Sequence, residues 1–105
     1  MIPSQMRKGI LEGCILTIIG QEEIYGYEIS EKLKTMGFGD ISEGTIYPIL
    51  LRLTRNESIQ ATLKDSPSGP QRKYYSLTDK GQIEVTEFKR DWQALVSAVN
   101  QLIKE

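Results

Sequence analysis

Apolar residues in the first third of the chain recur at helical spacing and predict two helices. The first runs from about Gln5 to Ile19, and its apolar surface covers more than one side, which suggests that a partner covers part of it. Its apolar positions are Ile10, Leu11, Cys14, Ile15, Ile18 and Ile19. The second follows Tyr25 and ends at Gly37, because glycine readily terminates a helix.

A third helix is predicted after Ser42, which is a good N-cap residue. We expect it to begin near Gly44 to Thr45, which places Pro48 in the first turn, where a missing N–H is tolerated. Its inward stripe is Ile46, Ile49, Leu50 and Leu53. Its outward face carries Thr45, Tyr47, Pro48, Leu51 and Arg52. A tyrosine and a leucine on an outward face indicate a contact surface.

Two strands are predicted next, from period-two alternation. Apolar residues alternate with polar ones over residues 59–64, and again over residues 72–77. Residues 65–71, rich in proline, glycine and serine, are expected to form a projecting loop. The result is a two-stranded ribbon with Arg72 and Lys73 at its base.

The last third predicts one helix of about 25 residues, nearly 40 Å long, with Thr78 or Asp79 as its cap. Its apolar residues recur with alternating steps of three and four, which is a heptad seam. They are Val85, Phe88, Trp92, Leu95, Val99 and Leu102. Such a helix extends beyond a small core, so we predict that these residues form a homodimer interface. The alternative is packing against the first helix of the same subunit.

Composition places the chain among ordinary globular proteins. It has 105 residues, 39% of them hydrophobic and 26% charged, which suits one folded unit. The net charge is −1, low for a nucleic-acid-binding protein. Residues 44–78 nevertheless hold five basic and two acidic residues, net +3, which leaves −4 for the remainder. The positive charge therefore falls on the third helix and the ribbon.

The residue types exclude most catalysis. The chain has no histidine, one cysteine, no glycine-rich phosphate loop and no cluster of metal ligands, so we predict no enzyme activity, no cofactor and no metal site. Cys14 lies among isoleucines and leucines and is expected to be a buried, unreactive thiol. The longest apolar stretch is too short to cross a bilayer and no signal segment is evident, which favours a cytoplasmic location.

Three short motifs in one order give a family resemblance. They are Tyr25-Gly26-Tyr27-Glu28-Ile29, then Gly44-Thr45-Ile46-Tyr47-Pro48-Ile49-Leu50, then Arg72-Lys73-Tyr74-Tyr75-Ser76-Leu77-Thr78 with Gly81. Together they resemble the PadR family of bacterial transcriptional regulators, across essentially the whole chain. The short final helix is similar to the smaller PadR subfamily, some of whose members sense drugs or small aromatic compounds.

The resemblance implies a mainly α fold with a small β-ribbon. It implies a winged helix-turn-helix DNA-binding domain over residues 1–78 and a C-terminal dimerisation helix over residues 79–105. The implied function is a sequence-specific DNA-binding regulator, usually a repressor. By family pattern the DNA-facing residues are Thr45, Tyr47, Pro48, Arg52, Arg72, Lys73 and Tyr74. A symmetric dimer would present two recognition helices to a palindromic operator.

One departure from the family pattern concerns the exit of the third helix. Where these proteins commonly have glycine, this chain has Arg55-Asn56-Glu57-Ser58. Asn56 can adopt the left-handed conformation that such a turn needs, so the departure concerns the geometry of the exit and not the fold.

Trp92 suggests an effector site. Two copies on a two-fold axis would sandwich a flat aromatic effector, with Met6 and Ile10 of the first helix as further candidates. The alternative is that Trp92, as an aromatic residue in a heptad seam, only packs against other apolar side chains and binds no effector.

A second interpretation of the whole chain is a winged-helix dimer that acts as a protein-binding adaptor. In that case exposed Tyr47, Leu51 and Tyr74 would contact another protein instead of duplex DNA.

Overall fold

The computed structural model describes residues 2–104. In chain order the elements are α1 (Ser4–Lys8), α2 (Leu11–Gln21), β1 (Ile24–Tyr25), α3 (Gly26–Thr35), α4 (Glu43–Arg55), β2 (Ile59–Ser66), β3 (Gly69–Leu77) and α5 (Asp79–Ile103). The three strands form one antiparallel sheet in the order β1-β3-β2. Helix α5 packs on α2 and β3, and α4 packs on α3 and β2.

The predicted first helix is divided in two. Gly9 and Ile10 separate α1 from α2, and the Ile10 N–H bonds to the carbonyl of Arg7, three residues back, at 3.1 Å. Glycine is a weak helix former, and the helix breaks where it stands. The Arg7 guanidinium then donates to the carbonyl of Phe38 at 2.9 Å, which ties α1 to the turn before α4.

Helix α4 begins one residue earlier than predicted. Ser42 is the N-cap, as expected, and its hydroxyl accepts from the Thr45 N–H at 3.2 Å. Since Glu43 is the first helical residue, Pro48 lies inside the helix and not in its first turn. Pro48 cannot donate to the carbonyl of Gly44, but both residues are exposed, so water can bond to that carbonyl.

At the exit from α4 the left-handed residue is Glu57 and not Asn56. Asn56 remains right-handed at φ −80°, and Glu57 takes the left-handed conformation at φ 61°. The Ser58 N–H bonds to the Leu53 carbonyl and the Glu57 N–H to the Thr54 carbonyl, both at 3.0 Å. This is a Schellman turn, and it has glutamate where glycine is usual.

The ribbon of β2 and β3, which we call the wing, is longer than predicted. Its strands extend to Ser66 and from Gly69, so the expected loop of residues 65–71 is reduced to Pro67 and Ser68. Only the base of β2 is half-buried as predicted, because Ile59 is buried while Leu63 is 58% exposed. The short strand β1, which pairs with β3, was not predicted.

Helix α5 has the predicted length of 25 residues, with Thr78 as its N-cap. The Thr78 hydroxyl accepts from the Gly81 N–H at 3.1 Å. The first half of α5 packs on its own subunit, through buried Val85 and through Phe88, whose ring lies directly on Gly13 of α2. The second half is apolar and exposed.

The core confirms the predicted fold class. Among residues 2–104, sixteen buried hydrophobic residues form the core, and they come from α2, α3, α4, the sheet, the loop before α4 and the start of α5. The structure is mainly helical with a small sheet, as a winged helix-turn-helix requires, and it carries the expected C-terminal helix. Within residues 2–104, no helix is both long and apolar enough to cross a membrane.

Candidate nucleic-acid interface

A cleft of about 350 Å³ lies between α4, the start of α3 and the wing. We call it the tyrosine cleft. It is lined by Tyr25, Gly26, Tyr27, Glu43, Ile46, Tyr47, Leu50, Lys73 and Tyr75. Four of these side chains carry phenolic hydroxyls and two are charged, so the cleft combines aromatic walls with groups that bind polar ligands.

The alternation of strand β3 divides the predicted wing residues between two faces. Lys73 and Tyr75 point to the side of the sheet that faces α4, and both line the tyrosine cleft. Arg72 and Tyr74 point to the opposite side, because successive strand residues alternate. The predicted set Arg72, Lys73 and Tyr74 therefore does not form one surface.

On that opposite face, aromatic and basic groups pack on the ring of Tyr25, a residue that also borders the tyrosine cleft. The Tyr74 ring lies 5.8 Å from the Tyr25 ring, and the Arg72 guanidinium lies 4.8 Å from the centre of the Tyr25 ring. Arg72 also donates to the Ser68 hydroxyl at 3.1 Å. The Lys64 ammonium lies 5.3 Å from the Tyr74 ring. These contacts leave Arg72 only partly exposed. The predicted place of Arg72 and Lys73 at the base of the ribbon is wrong, because Ile59 pairs with Leu77 there and Arg72 and Lys73 pair further out, with Lys64 and Leu63.

Tyr75 and Tyr47 are neighbours in the lining of the cleft. Tyr75 is only 4% exposed, whereas Tyr47 is 49% exposed. Burial raises the pKa of the Tyr75 hydroxyl, and the nearby Tyr47 adds to that rise. The Tyr75 phenol therefore remains a neutral hydrogen-bond donor at physiological pH.

The remaining predicted residues of α4 lie on a stripe that does not line the tyrosine cleft. The Thr45 hydroxyl is 3.1 Å from that of Ser42, and Pro48 is exposed on the same stripe. Arg52 is paired with Glu12 of α2, its Nη2 lying 2.9 Å from Oε1 and its Nε donating to the same oxygen at 3.0 Å. The outward face of α4 is thus accessible, but its arginine is already engaged.

A second cleft, of about 300 Å³, lies between α1 and the exposed half of α5. Its lining contains Trp92, Met6 and Ile10, the three residues predicted for an effector site, so the structure brings them together. Behind Trp92 a smaller cavity of about 190 Å³ adjoins Cys14. Cys14 is half-buried, less than predicted, and desolvation raises its pKa, which favours the unreactive thiol.

The six predicted dimer positions differ in their surroundings. Val85 is buried in the subunit core and Phe88 is half-buried against α2, so neither offers much surface to a partner. The other four remain exposed: Trp92 at 39%, Leu95 at 49%, Val99 at 42% and Leu102 at 84%.

Three of the four tyrosines that line the tyrosine cleft were not predicted as site residues from the sequence. Tyr25 and Tyr27 were interpreted only as part of a family motif, and Tyr75 as a core position of a strand. The strand parity was available as a signal, because it places Tyr75 with Lys73 and apart from Tyr74. Across residues 2–104, no group of three or more potential metal-ligating side chains comes together.

Comparisons with known proteins agree with this geometry. The profile of the Transcriptional regulator PadR-like family matches residues 15–87. A protein from Lysinibacillus sphaericus is 35% identical over 94 residues, which is 88% of this chain and 86% of that protein.

Two solved structures extend the comparison. A PadR-like transcriptional regulator from Bacillus cereus is 55% identical, with a TM-score of 0.88 over 97% of this chain and 99% of that one. Bacillus subtilis PadR in complex with operator DNA is 28% identical, with a TM-score of 0.68 over 75% of this chain and 46% of that one.

Proposed function

The chain belongs to the PadR-like family of transcriptional regulators, and from that premise we propose that it binds a palindromic operator as a homodimer and represses transcription. The observation that carries this proposal is that exposed Tyr47 of α4 and Lys73 of the wing line the same cleft. Operator DNA in the complex of the Bacillus subtilis relative supports duplex DNA as the ligand. The family consists of transcriptional regulators and not of enzymes, which agrees with a sequence that lacks the common catalytic residue types.

On this proposal α4 is the recognition helix and enters the major groove. Thr45, Tyr47 and Pro48 lie in its N-terminal half, which is the part that reaches base edges in helix-turn-helix proteins. Arg52 can exchange Glu12 for a phosphate at little cost, because an exposed ion pair contributes only about 0–1 kcal/mol. On this proposal Lys73 contacts the backbone from the side of the wing that faces α4, and Arg72 and Tyr74 contact it from the other side.

We propose the exposed half of α5 as the dimer interface, with residues 1–78 binding DNA and residues 79–105 joining the subunits. Leu95, Val99 and Leu102 present apolar surface that the subunit itself leaves uncovered. A two-fold dimer would place two copies of α4 about 34–36 Å apart, in successive major grooves.

Removing a basic wing residue should weaken binding to every duplex sequence alike. Arg72→Ala and Lys73→Ala each remove one positive charge, so the log-log slope of affinity against salt should fall by about one for each phosphate that the variant no longer neutralises. Fluorescence anisotropy with a labelled duplex over a salt series measures this. A slope equal to that of the unmodified protein in both variants would remove the wing from the DNA interface.

The same salt series separates DNA binding from the adaptor alternative, because an apolar protein contact responds little to salt. That alternative placed Tyr47, Leu51 and Tyr74 on one surface. Tyr47 lines the tyrosine cleft and Tyr74 does not, so an adaptor partner would have to contact both sides of the wing.

We further propose that a small aromatic effector binds beside Trp92 and releases the DNA. Trp92→Ala should abolish the effect of such a compound on DNA affinity, because Trp92 lines the cleft. Trp92 is also one of the predicted interface residues, so sedimentation must first show that the variant is still a dimer. Titrating a panel of planar aromatic compounds against the unmodified protein, with Trp92 fluorescence as readout, identifies a ligand first. Unchanged fluorescence across the panel would contradict the effector site.

A further inference from the structure

We propose that the tyrosine cleft seats one phosphodiester of the DNA backbone, with the Lys73 ammonium and the hydroxyls of Tyr27, Tyr47 and Tyr75 as its donors. This proposal rests on the proposed DNA-binding function and adds a site and two residues, Tyr27 and Tyr75, to it. The cleft lies between the proposed recognition helix and the wing. A phosphate backbone passes between these two elements when one occupies a groove and the other follows the strand.

Tyr75 provides the main support for this site. Its ring is 4% exposed, yet within residues 2–104 its hydroxyl forms no hydrogen bond and is not itself sealed from solvent. It therefore opens into the cleft that its ring helps to line. A largely buried tyrosine usually satisfies its hydroxyl, so a donor left free toward a cleft indicates a ligand that accepts hydrogen bonds.

The charges and the size of the cleft fit a phosphodiester. Lys73 is exposed and forms no ion pair within the described part of the chain, so its ammonium is available to an anion. The volume of about 350 Å³ accommodates a phosphate with its adjoining sugar. Glu43 also lines the cleft, and its negative charge repels an anion bound there. Neutral phenols are suitable donors beside a carboxylate, because their hydroxyls bind phosphate oxygens without adding charge.

The decisive variant is Tyr75→Phe, which removes one hydroxyl and keeps the packed ring. A backbone contact does not depend on sequence, so a fluorescein-labelled random-sequence duplex at low salt is a sufficient probe. We expect affinity to fall about fivefold to tenfold, the range for removing one hydrogen bond to a charged group. The salt slope should not change, because the variant has the same charge. Tyr27→Phe should show the same pattern.

Ser76→Ala is the matched control. It removes one hydroxyl from the other neighbour of Tyr75 in β3, on the face of the wing opposite the cleft, and should leave affinity within about twofold of the unmodified protein. Equal affinities for Tyr75→Phe, Ser76→Ala and the unmodified protein, with unchanged thermal midpoints, would overturn the phosphate seat but leave DNA binding intact. No binding of the unmodified protein to any duplex would overturn the proposed function and the seat with it.

Glu43→Gln tests the sign of the electrostatics. Removing the opposing carboxylate should raise affinity about twofold to fivefold, and a lower affinity would contradict an anion in the cleft.

Competition with inorganic phosphate distinguishes a phosphodiester of DNA from a free phosphate ion as the ligand of the cleft. Inorganic phosphate should displace the duplex no better than chloride at equal ionic strength, whereas specific displacement would assign the cleft to the free anion instead.

Discussion

Gly81→Ala should destabilise the subunit by about 3 kcal/mol or more, although alanine is the better helix former. A Cβ at this position would lie 2.0 Å from the carbonyl oxygen of Ser58 and 3.0 Å from a methyl group of Leu77. That carbonyl already accepts from the N–H of Thr78 at 3.1 Å and from its hydroxyl at 3.0 Å, so it cannot move without breaking both bonds. The clash therefore outweighs the gain in helix propensity, which is only about 1 kcal/mol.

Thermal unfolding followed by circular dichroism measures this effect. A destabilisation of this size lowers the midpoint by on the order of 15 °C in a domain of this length. Gly9→Ala is the control, because nothing lies within 4 Å of its added Cβ and its backbone is right-handed at φ −72°. Equal midpoints for the two variants would show that the junction between the exit of α4 and the start of α5 is not closely packed.

The double variant Leu95→Glu and Val99→Glu should convert the proposed dimer into a folded monomer. Both side chains are about half exposed in the subunit, at 49% and 42%, so the substitutions leave the core untouched. In a dimer they would place four carboxylates against an apolar surface, which costs several kcal/mol. Affinity for a palindromic duplex should then fall about 100-fold or more, because each monomer binds one half-site alone.

Sedimentation at micromolar concentration gives the mass, and gel shifts with the same samples give the affinity. Ile83→Glu is the matched control, since Ile83 lies on the opposite side of α5 and is 63% exposed. It should leave both the mass and the affinity unchanged. A double variant that still sediments as a dimer would place the interface elsewhere.

Local patterns predicted the elements of this fold well. The cap at Ser42, the length of α5 and the two wing strands follow from nearest neighbours along the chain, where spacing and propensity act directly. Errors occurred where two local preferences compete within a few residues. Gly9 divides the first helix, and Pro48 is accommodated inside α4 because its stripe is exposed.

The site was only partly predictable, because its residues meet through the tertiary structure. The sequence identified Tyr47 and Lys73, and the structure places them in one cleft. The engagement of Arg52 by Glu12, 40 residues away along the chain, has no local signal. The same holds for strand β1, whose two residues pair with β3 some fifty positions later.

By itself, the sequence determined the class of fold, the family, and which helices have an apolar face to bury, because these depend on periodicity and on short motifs. Only the tertiary structure decided which side chains lie in the cleft, in the core or on an exposed surface. The parity of β3 sends Tyr75 to the cleft and Tyr74 away from it, and the packing of α5 on α2 takes Val85 into the core while leaving Leu95 uncovered. Such assignments depend on contacts between distant segments, and those contacts form only when the chain is folded.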